Sequence, residues 1–238
     1  MRKWQRGEEE TDMIYRVRDV AAMVDHTNLK AYATTSDITT LCEEAKKYGF
    51  RMVAINPLHT RLASWLLKGT NVHVGPCISF PLGQNTIEEK GVEALAAIAA
   101  GADEIDYVTN ITAVKDGRWD DVEREMTTIA DICRSAGVLS KVIFENCYLE
   151  KSEIEHLAKI SLRAKPDFIK TSTGFGTGGA TVEDVALMKQ TVGDEVEIKA
   201  AGGIRDWKTC KAMIEAGATR IGCSAGLQIL EGFRAERG

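Results

Sequence analysis

A short apolar run followed by an amphipathic helical segment recurs along the chain, and this repeat constrains the fold more than any other feature. Eight apolar runs begin near residues 21, 51, 72, 103, 140, 167, 196 and 219, a mean spacing of about 28 residues. That spacing fits one strand plus one helix, which implies parallel strands joined by right-handed crossovers. Several helical segments end at a glycine, which supplies the left-handed residue that stops a helix: Gly49, Gly101, Gly137 and Gly217.

Eight such units within about 220 residues favour a closed α/β barrel over an open sheet. We therefore predict a (β/α)8 TIM barrel. No linker-like stretch interrupts the series, so the chain is expected to form a single domain over residues 16–238, preceded by an N-terminal extension over residues 1–15.

Composition excludes several classes of protein. The 30 Lys and Arg against 35 Asp and Glu give a net charge of −5 without a basic block, which argues against nucleic-acid binding. The longest apolar run, residues 94–102, is too short for a membrane helix, and the N-terminus lacks the apolar region of a secretory signal. The six scattered cysteines form no C-x-x-C pair, so we expect a reduced, cytoplasmic protein.

Polar residues recur where the predicted strands end, and chemistry in this fold lies at the carboxyl ends of the strands. These residues are Asp25, Asn56, Asp106, Glu145, Lys170, Lys199 and Ser224. Charged residues inside apolar runs are costly unless they are paired, so this recurrence predicts a site. By contrast, we expect Asp103 and Glu104 to be solvated at the opposite end, and residues 123–125 to be a solvated helix face.

Lys170 and Lys199 are the candidate nucleophiles. They lie on adjacent predicted strands at matching depth, where a neighbouring cation and an apolar pocket both favour the neutral amine that attacks a carbonyl. The alternative is that each lysine only pairs with a carboxylate of Asp106, Glu145 or Glu197. Asp106 could transfer protons or serve as a counter-ion, and the two roles are compatible.

Glycine-rich turns follow the last three predicted strands, at residues 174–179, 202–203 and 222–226. Barrel phosphate sites are commonly built from such turns and the helix starts behind them, so these turns predict a phosphate site. The four histidines, His26, His59, His73 and His156, lack metal-ligand spacing, and no nucleotide-binding motif occurs. We expect no metal and no cofactor, and we interpret Cys147 as structural.

The sequence resembles the deoxyribose-phosphate aldolases, a family of Schiff-base aldolases, over nearly its whole length. The resemblance rests on D-H-T-x-L-K at 25–30, F-P-L-G at 80–83, G-A-D-E-I-D at 101–106, I-K-T-S-T-G-F at 169–175, I-K-A-A-G-G-I-R at 198–205 and R-I-G-C-S-A-G at 220–226. It implies reversible cleavage of 2-deoxy-D-ribose 5-phosphate to acetaldehyde and D-glyceraldehyde 3-phosphate, without a cofactor, in a cytoplasmic homo-oligomer.

The resemblance also implies individual roles. Lys170 would form the Schiff base, Lys199 would favour the neutral form of Lys170, and Asp106 would relay protons. Asp25 would support the substrate hydroxyls or the lysines. Four residues would hold the phosphate: Gly174, Gly202, Gly203 and Ser224.

The chain departs from the family pattern at Asn28, Ala31, Ser79, Thr112 and Asn146. These departures flank the site and bear on substrate choice, so a lyase using the same lysine on another phosphosugar or aldehyde is an alternative. A barrel that only binds a phosphorylated metabolite is a second alternative, although binding alone does not need two adjacent lysines.

Overall fold

Eight parallel strands pair in chain order, and the last strand pairs with the first, so the sheet closes into a barrel. The computed structural model describes residues 15–237. The strands are β1 (Val24–Asn28), β2 (Met52–Ile55), β3 (His73–Ile78), β4 (Glu104–Val108), β5 (Leu139–Ile143), β6 (Phe168–Lys170), β7 (Glu197–Ala201) and β8 (Arg220–Cys223). The predicted single-domain (β/α)8 barrel is confirmed, and every strand except β1 begins within one residue of its predicted start.

Ten α-helices surround the barrel in the described part of the chain. They are α1 (Val17–Ala21), α2 (Thr35–Tyr48), α3 (Thr60–Leu67), α4 (Ile87–Ala99), α5 (Ile111–Lys115), α6 (Trp119–Ser135), α7 (Lys151–Ala164), α8 (Val182–Val192), α9 (Trp207–Glu215) and α10 (Gly226–Arg237). Short 3-10 turns, Pro57–His59 and Asn146–Tyr148, follow β2 and β5. The predicted stop at Gly49 is present, since this residue caps α2 in the left-handed conformation with φ 73°.

The hydrophobic core lies between the strands and this outer ring of helices. Apolar faces such as Ile38, Leu41 and Cys42 on α2 are buried against it, together with outward-facing strand residues such as Ile105. No helix within residues 15–237 is both long and apolar enough to cross a membrane. Residues 1–14 lie outside the described part, so the division into an extension and a barrel domain stays a prediction.

The strand register places inward-facing polar residues of neighbouring strands side by side in the barrel interior. Side chains two residues apart on a strand share a face, so Glu104 and Asp106 both point inward from β4. Asp106 is paired with Lys141 on β5, Lys170 is paired with Lys199 on β7, and Lys199 is paired in turn with Arg220 on β8. The barrel interior therefore contains a dense set of charges.

Candidate active site

A closed ring of six charged side chains fills the middle of the barrel. Acids and bases alternate around it in the order Glu104, Lys141, Asp106, Lys199, Asp25 and Arg220, returning to Glu104. The successive N···O distances are 2.5, 2.8, 2.6, 2.6, 2.9 and 2.8 Å. All six side chains are buried. Because three carboxylates face three cations, the ring is neutral, and each desolvated charge has two opposite neighbours.

Lys170 is attached to this ring at Asp106. Its Nζ lies 2.7 Å from Asp106 Oδ2, the same oxygen that lies 2.6 Å from Lys199 Nζ. The two lysines therefore approach each other as predicted, and the pairing with Asp106 that stood as the alternative is present as well. The six ring members already balance three carboxylates against three cations, so a positive charge at Lys170 would be in excess of the acidic groups around it.

The surroundings fix the charges of two ring members. Burial alone would raise the pKa of Asp106, but Lys141, Lys170 and Lys199 hold it well below its ordinary value. Burial likewise disfavours the ammonium of Lys199, and Asp106 and Asp25 outweigh it and raise the pKa of Lys199. Lys199 therefore stays protonated beside Lys170.

A cavity of about 600 Å³ opens at the carboxyl ends of β1, β6, β7 and β8, directly above the ring. Among the residues that line it are five predicted site residues: Lys170, Gly174, Gly202, Gly203 and Ser224. The other three, Asp25, Asp106 and Lys199, are fully buried beneath it. Asp25 contacts Lys199 and Arg220, which corresponds to the second of its two expected roles, support of the lysines.

The turn after β7 and the glycine-rich segment after β6, both of which line the cavity, approach each other closely at the backbone. Gly202 has φ 86°, and a Cβ placed on Gly179 would lie 2.2 Å from the Gly202 carbonyl oxygen. Ala180 N–H donates to the carbonyl oxygens of Ala201 and Gly202. Glycine is required at Gly202 by the left-handed turn and at Gly179 by the close contact with the Gly202 carbonyl group.

A sequence profile of the DeoC/LacD family of aldolases matches residues 19–232. The chain belongs to this aldolase family. Its relatives include the deoxyribose-phosphate aldolases of Lactobacillus acidophilus, 54% identical over 93% of this chain and 94% of that protein, and of Bacteroides thetaiotaomicron, 51% identical over 92% of each. The deoxyribose phosphate aldolase of Aeropyrum pernix, described as a tetramer, superposes with a TM-score of 0.87 at 34% identity over 93% of each chain.

The structure corrects the expected position of three polar residues within their strands, whereas the matching depth predicted for Lys170 and Lys199 is confirmed, because the two are register partners in this aldolase. Asp106 and Lys199 lie in the middle of β4 and β7, and Asp25 is the second residue of β1, whereas Lys170 ends β6. Asn56 lies beside the carbonyl oxygen of Lys30. Glu145 accepts hydrogen bonds from the N–H and the hydroxyl of Thr173, and so holds the chain that follows Lys170.

Two acidic residues expected to be solvated are buried. Glu104 is fully buried in the ring, because the side chains of Arg220 and Lys141 occupy the lower interior of the barrel beside it. Glu125 is buried between α4 and α6, where it lies 2.7 Å from the buried Lys90. Each expectation was wrong for the same reason. A basic side chain that is far away in the sequence, Arg220 for Glu104 and Lys90 for Glu125, contacts the carboxylate and shields it from solvent.

Sequence reasoning missed Lys141 and Arg220 of the ring, and Lys30 and Arg205, which line the cavity. Lys141 could have been noticed as a lysine inside the apolar run L-S-K-V-I. Arg220 and Glu104 each begin a strand and could not be assigned to the interior without the register. Lys30 and Arg205 add positive charge to a cavity whose rim also carries Asp37 and Glu44.

The histidines and the family departures have local roles. Within residues 15–237, no group of three or more His, Cys, Asp or Glu side chains is arranged to hold a metal ion. His26 contacts Glu44 at 2.7 Å and His73 contacts Glu104 at 2.7 Å.

Two of the departures from the family pattern lie at different places relative to the cavity. Asn28 lines it, whereas the Thr112 hydroxyl donates to Gln84 outside it.

Proposed function

We propose that this aldolase reversibly cleaves 2-deoxy-D-ribose 5-phosphate to acetaldehyde and D-glyceraldehyde 3-phosphate through a Schiff base on Lys170. The observation that carries the assignment is the position of this lysine. Lys170 lines the cavity while touching the buried cluster, whereas Lys141 and Lys199 are fully buried below it. A substrate carbonyl in the cavity can therefore reach the Lys170 amine.

The chemistry follows from that position. The neutral Lys170 Nζ adds to the C1 aldehyde of the open-chain sugar, and the carbinolamine loses water to give an iminium ion. The C3 hydroxyl then gives up its proton, the C2–C3 bond breaks, and the electron pair moves into an enamine as D-glyceraldehyde 3-phosphate leaves. Protonation at C2 and hydrolysis release acetaldehyde and restore the amine.

Asp106 and Lys199 support these steps from below. Asp106 Oδ2, 2.7 Å from the amine, can accept and return the protons that addition and dehydration require. Lys199 stays charged and, as a neighbouring cation, opposes a further positive charge beside it, which suits an amine that must attack a carbonyl. Lys199 and Asp106 therefore activate Lys170 as a pair.

The phosphate is proposed to bind beside the glycine-rich turns that line the cavity. The turns containing Gly174, Gly202 and Gly203 present backbone there, and Ser224 stands just before the N-terminus of α10. A helix N-terminus favours an anion, and Lys30 and Arg205 contribute positive charge at the same cavity.

Borohydride reduction in the presence of acetaldehyde, followed by peptide mass spectrometry, tests the assignment. We expect a stable adduct on Lys170 in the wild type, and its loss in Lys170→Ala. Lys30, which also lines the cavity, is the internal control and should stay unlabelled. Labelling at another residue, or none in the wild type, would contradict the mechanism. Assay of a panel of sugar phosphates tests the substrate. Faster turnover of another sugar would favour the alternative that the same lysine acts on a different phosphosugar or aldehyde.

We also propose that the protein is a cytoplasmic homo-oligomer. Four large apolar side chains of the segment after β2 and of helices α3 and α4 are exposed, namely Leu58, Trp65, Val92 and Leu95. Exposed apolar clusters often mark an interface. The six free cysteines suit a reducing compartment. Light scattering should give a mass above that of one chain, and Trp65→Glu should lower it; a monomeric wild type would contradict the proposal.

A further inference from the structure

Two ionisable side chains contact the neutral ring from opposite sides of the barrel interior. Lys170 joins it at Asp106 on the cavity side, and His73 joins it at Glu104 on the opposite side of the barrel. His73 Nδ1 lies 2.7 Å from Glu104 Oε1, while Glu104 Oε2 contacts Lys141 and Arg220. Glu104 therefore divides its two oxygens between His73 and the ring.

His73 can exchange protons with solvent although its partner cannot. Its side chain is 29% exposed, whereas Glu104 is fully buried. It lines a second cavity, of about 540 Å³, at the amino ends of the strands. The titratable and charged groups around His73 are Glu104 on β4, Arg51 before β2 (Nε 3.8 Å from Glu104 Oε1), and Lys68 and Asp103, which line the same cavity.

We propose that His73 is a positioning residue whose protonation favours the neutral amine at Lys170. The inference rests on the proposed role of Lys170 as the Schiff-base lysine. Protonated His73 adds a positive charge at Glu104, and the ring carries no surplus negative charge to absorb it. The electrostatic cost of a further cation at Lys170 therefore rises, and it falls again when His73 loses its proton.

The route from His73 to Lys170 is a chain of short contacts that are buried from Glu104 onward. It runs through Glu104, Lys141 and Asp106, with distances of 2.7, 2.5, 2.8 and 2.7 Å from one end to the other. Charges along such a path are poorly screened, because water is excluded and counter-ions do not enter. A partly exposed histidine at the amino ends of the strands can therefore influence a lysine at their carboxyl ends.

The test compares two substitutions of the same residue. His73→Gln is neutral at every pH, whereas His73→Arg is a permanent cation. Histidine changes its charge between about pH 5 and 8. The wild type should therefore behave like His73→Arg at low pH and like His73→Gln at high pH. The readout is the rate of borohydride-trapped acetaldehyde adduct on Lys170.

We expect wild type to trap about threefold faster than His73→Gln near pH 5.5, with the ratio falling to one near pH 8.5, an effect of the size given by one partly screened buried charge. His73→Arg should keep the advantage over His73→Gln at both pH values. His156→Gln, a matched change on an outer helix where His156 stacks on Trp119, should leave the trapping rate unchanged.

A ratio between wild type and His73→Gln that is the same at all pH values would overturn the inference, since it would leave His73 a purely structural hydrogen-bond partner. This comparison needs no third variant, so it holds if His73→Arg folds poorly. An absence of any Lys170 adduct in the wild type would instead refute the proposed function. The two failures are therefore distinguishable.

Discussion

Lys199 lies between two carboxylates, 2.6 Å from an oxygen of Asp106 and 2.6 Å from an oxygen of Asp25. This arrangement gives it a different task from Lys170, although the two residues are register partners on neighbouring strands. Lys170 has one carboxylate neighbour and an open cavity. At the scale of single residues, the number of acidic neighbours therefore separates a permanent cation from a candidate nucleophile.

Lys199→Leu should shift the pH profile of aldol cleavage to higher pH by about one unit, because the permanent cation that opposes a further positive charge at the reacting amine is then absent. The measurement is kcat/KM between pH 6 and 10. Lys199→Arg, which keeps the charge, is the control and should leave the profile in place. An unmoved profile in Lys199→Leu would show that the charge of Lys199 does not govern Lys170.

At the scale of elements, the strands and the loops behind them have separate functions. Strands β1 and β4 to β8 present the charged cluster, and the turns after β6, β7 and β8 form part of the cavity wall. The chemistry and the phosphate can therefore be disturbed independently. Ser224 is suited to this purpose, because it is exposed in the turn between β8 and α10 and touches none of the buried charges.

Ser224→Asp should raise KM for 2-deoxy-D-ribose 5-phosphate by about tenfold or more, since a carboxylate beside a bound phosphate is repelled. Trapping of acetaldehyde on Lys170 should be unchanged, because acetaldehyde carries no phosphate. Ser224→Ala is the uncharged control and should change KM far less. An equal loss of trapping and of turnover in Ser224→Asp would place this residue at the reacting centre instead.

The strand order could be predicted from the sequence because it depends on local information, namely spacing and periodicity. The lysine pair and Asp106 could be predicted for a related reason, since each stands within an apolar run. The closed ring could not, because its partners lie up to 195 residues apart and meet only after closure, as Asp25 and Arg220 do. Glu104 shows the limit most clearly: the same residue is solvated or buried according to what fills the barrel beneath it.

At the scale of the whole molecule, the ring joins strands that are far apart in the sequence. It links β1 and β8, which pair where the barrel closes, to β4, β5 and β7. Its pairs form only when the barrel is closed in the correct register. Removing one partner leaves a buried charge uncompensated, which typically costs about 3–5 kcal/mol. The ring therefore ties stability to the same geometry that the proposed chemistry needs.

Acid should reduce the stability that the charged ring gives to the folded barrel, and the variant Glu104→Gln tests this. Burial alone would raise the pKa of Glu104, but Lys141, His73 and Arg220 together hold it below its ordinary value of 4.5. The unfolded chain takes up a proton near pH 4.5 that the folded chain refuses. The stabilisation from Glu104 is thus complete above that pH and is lost as pH falls toward the folded pKa, at up to about 1.4 kcal/mol per pH unit.

Glu104→Gln should therefore be several kcal/mol less stable than the wild type at pH 7, and the gap should narrow below about pH 4.5. Urea unfolding at pH 7, 4.5 and 3.5 measures it, and the exposed Glu88→Gln is the matched control, for which the gap should stay small throughout. A gap in Glu104→Gln that is constant between pH 4.5 and 3.5 would mean that its loss of stability comes from packing rather than from the ionised carboxylate, and the ring would then hold the barrel by shape rather than by charge.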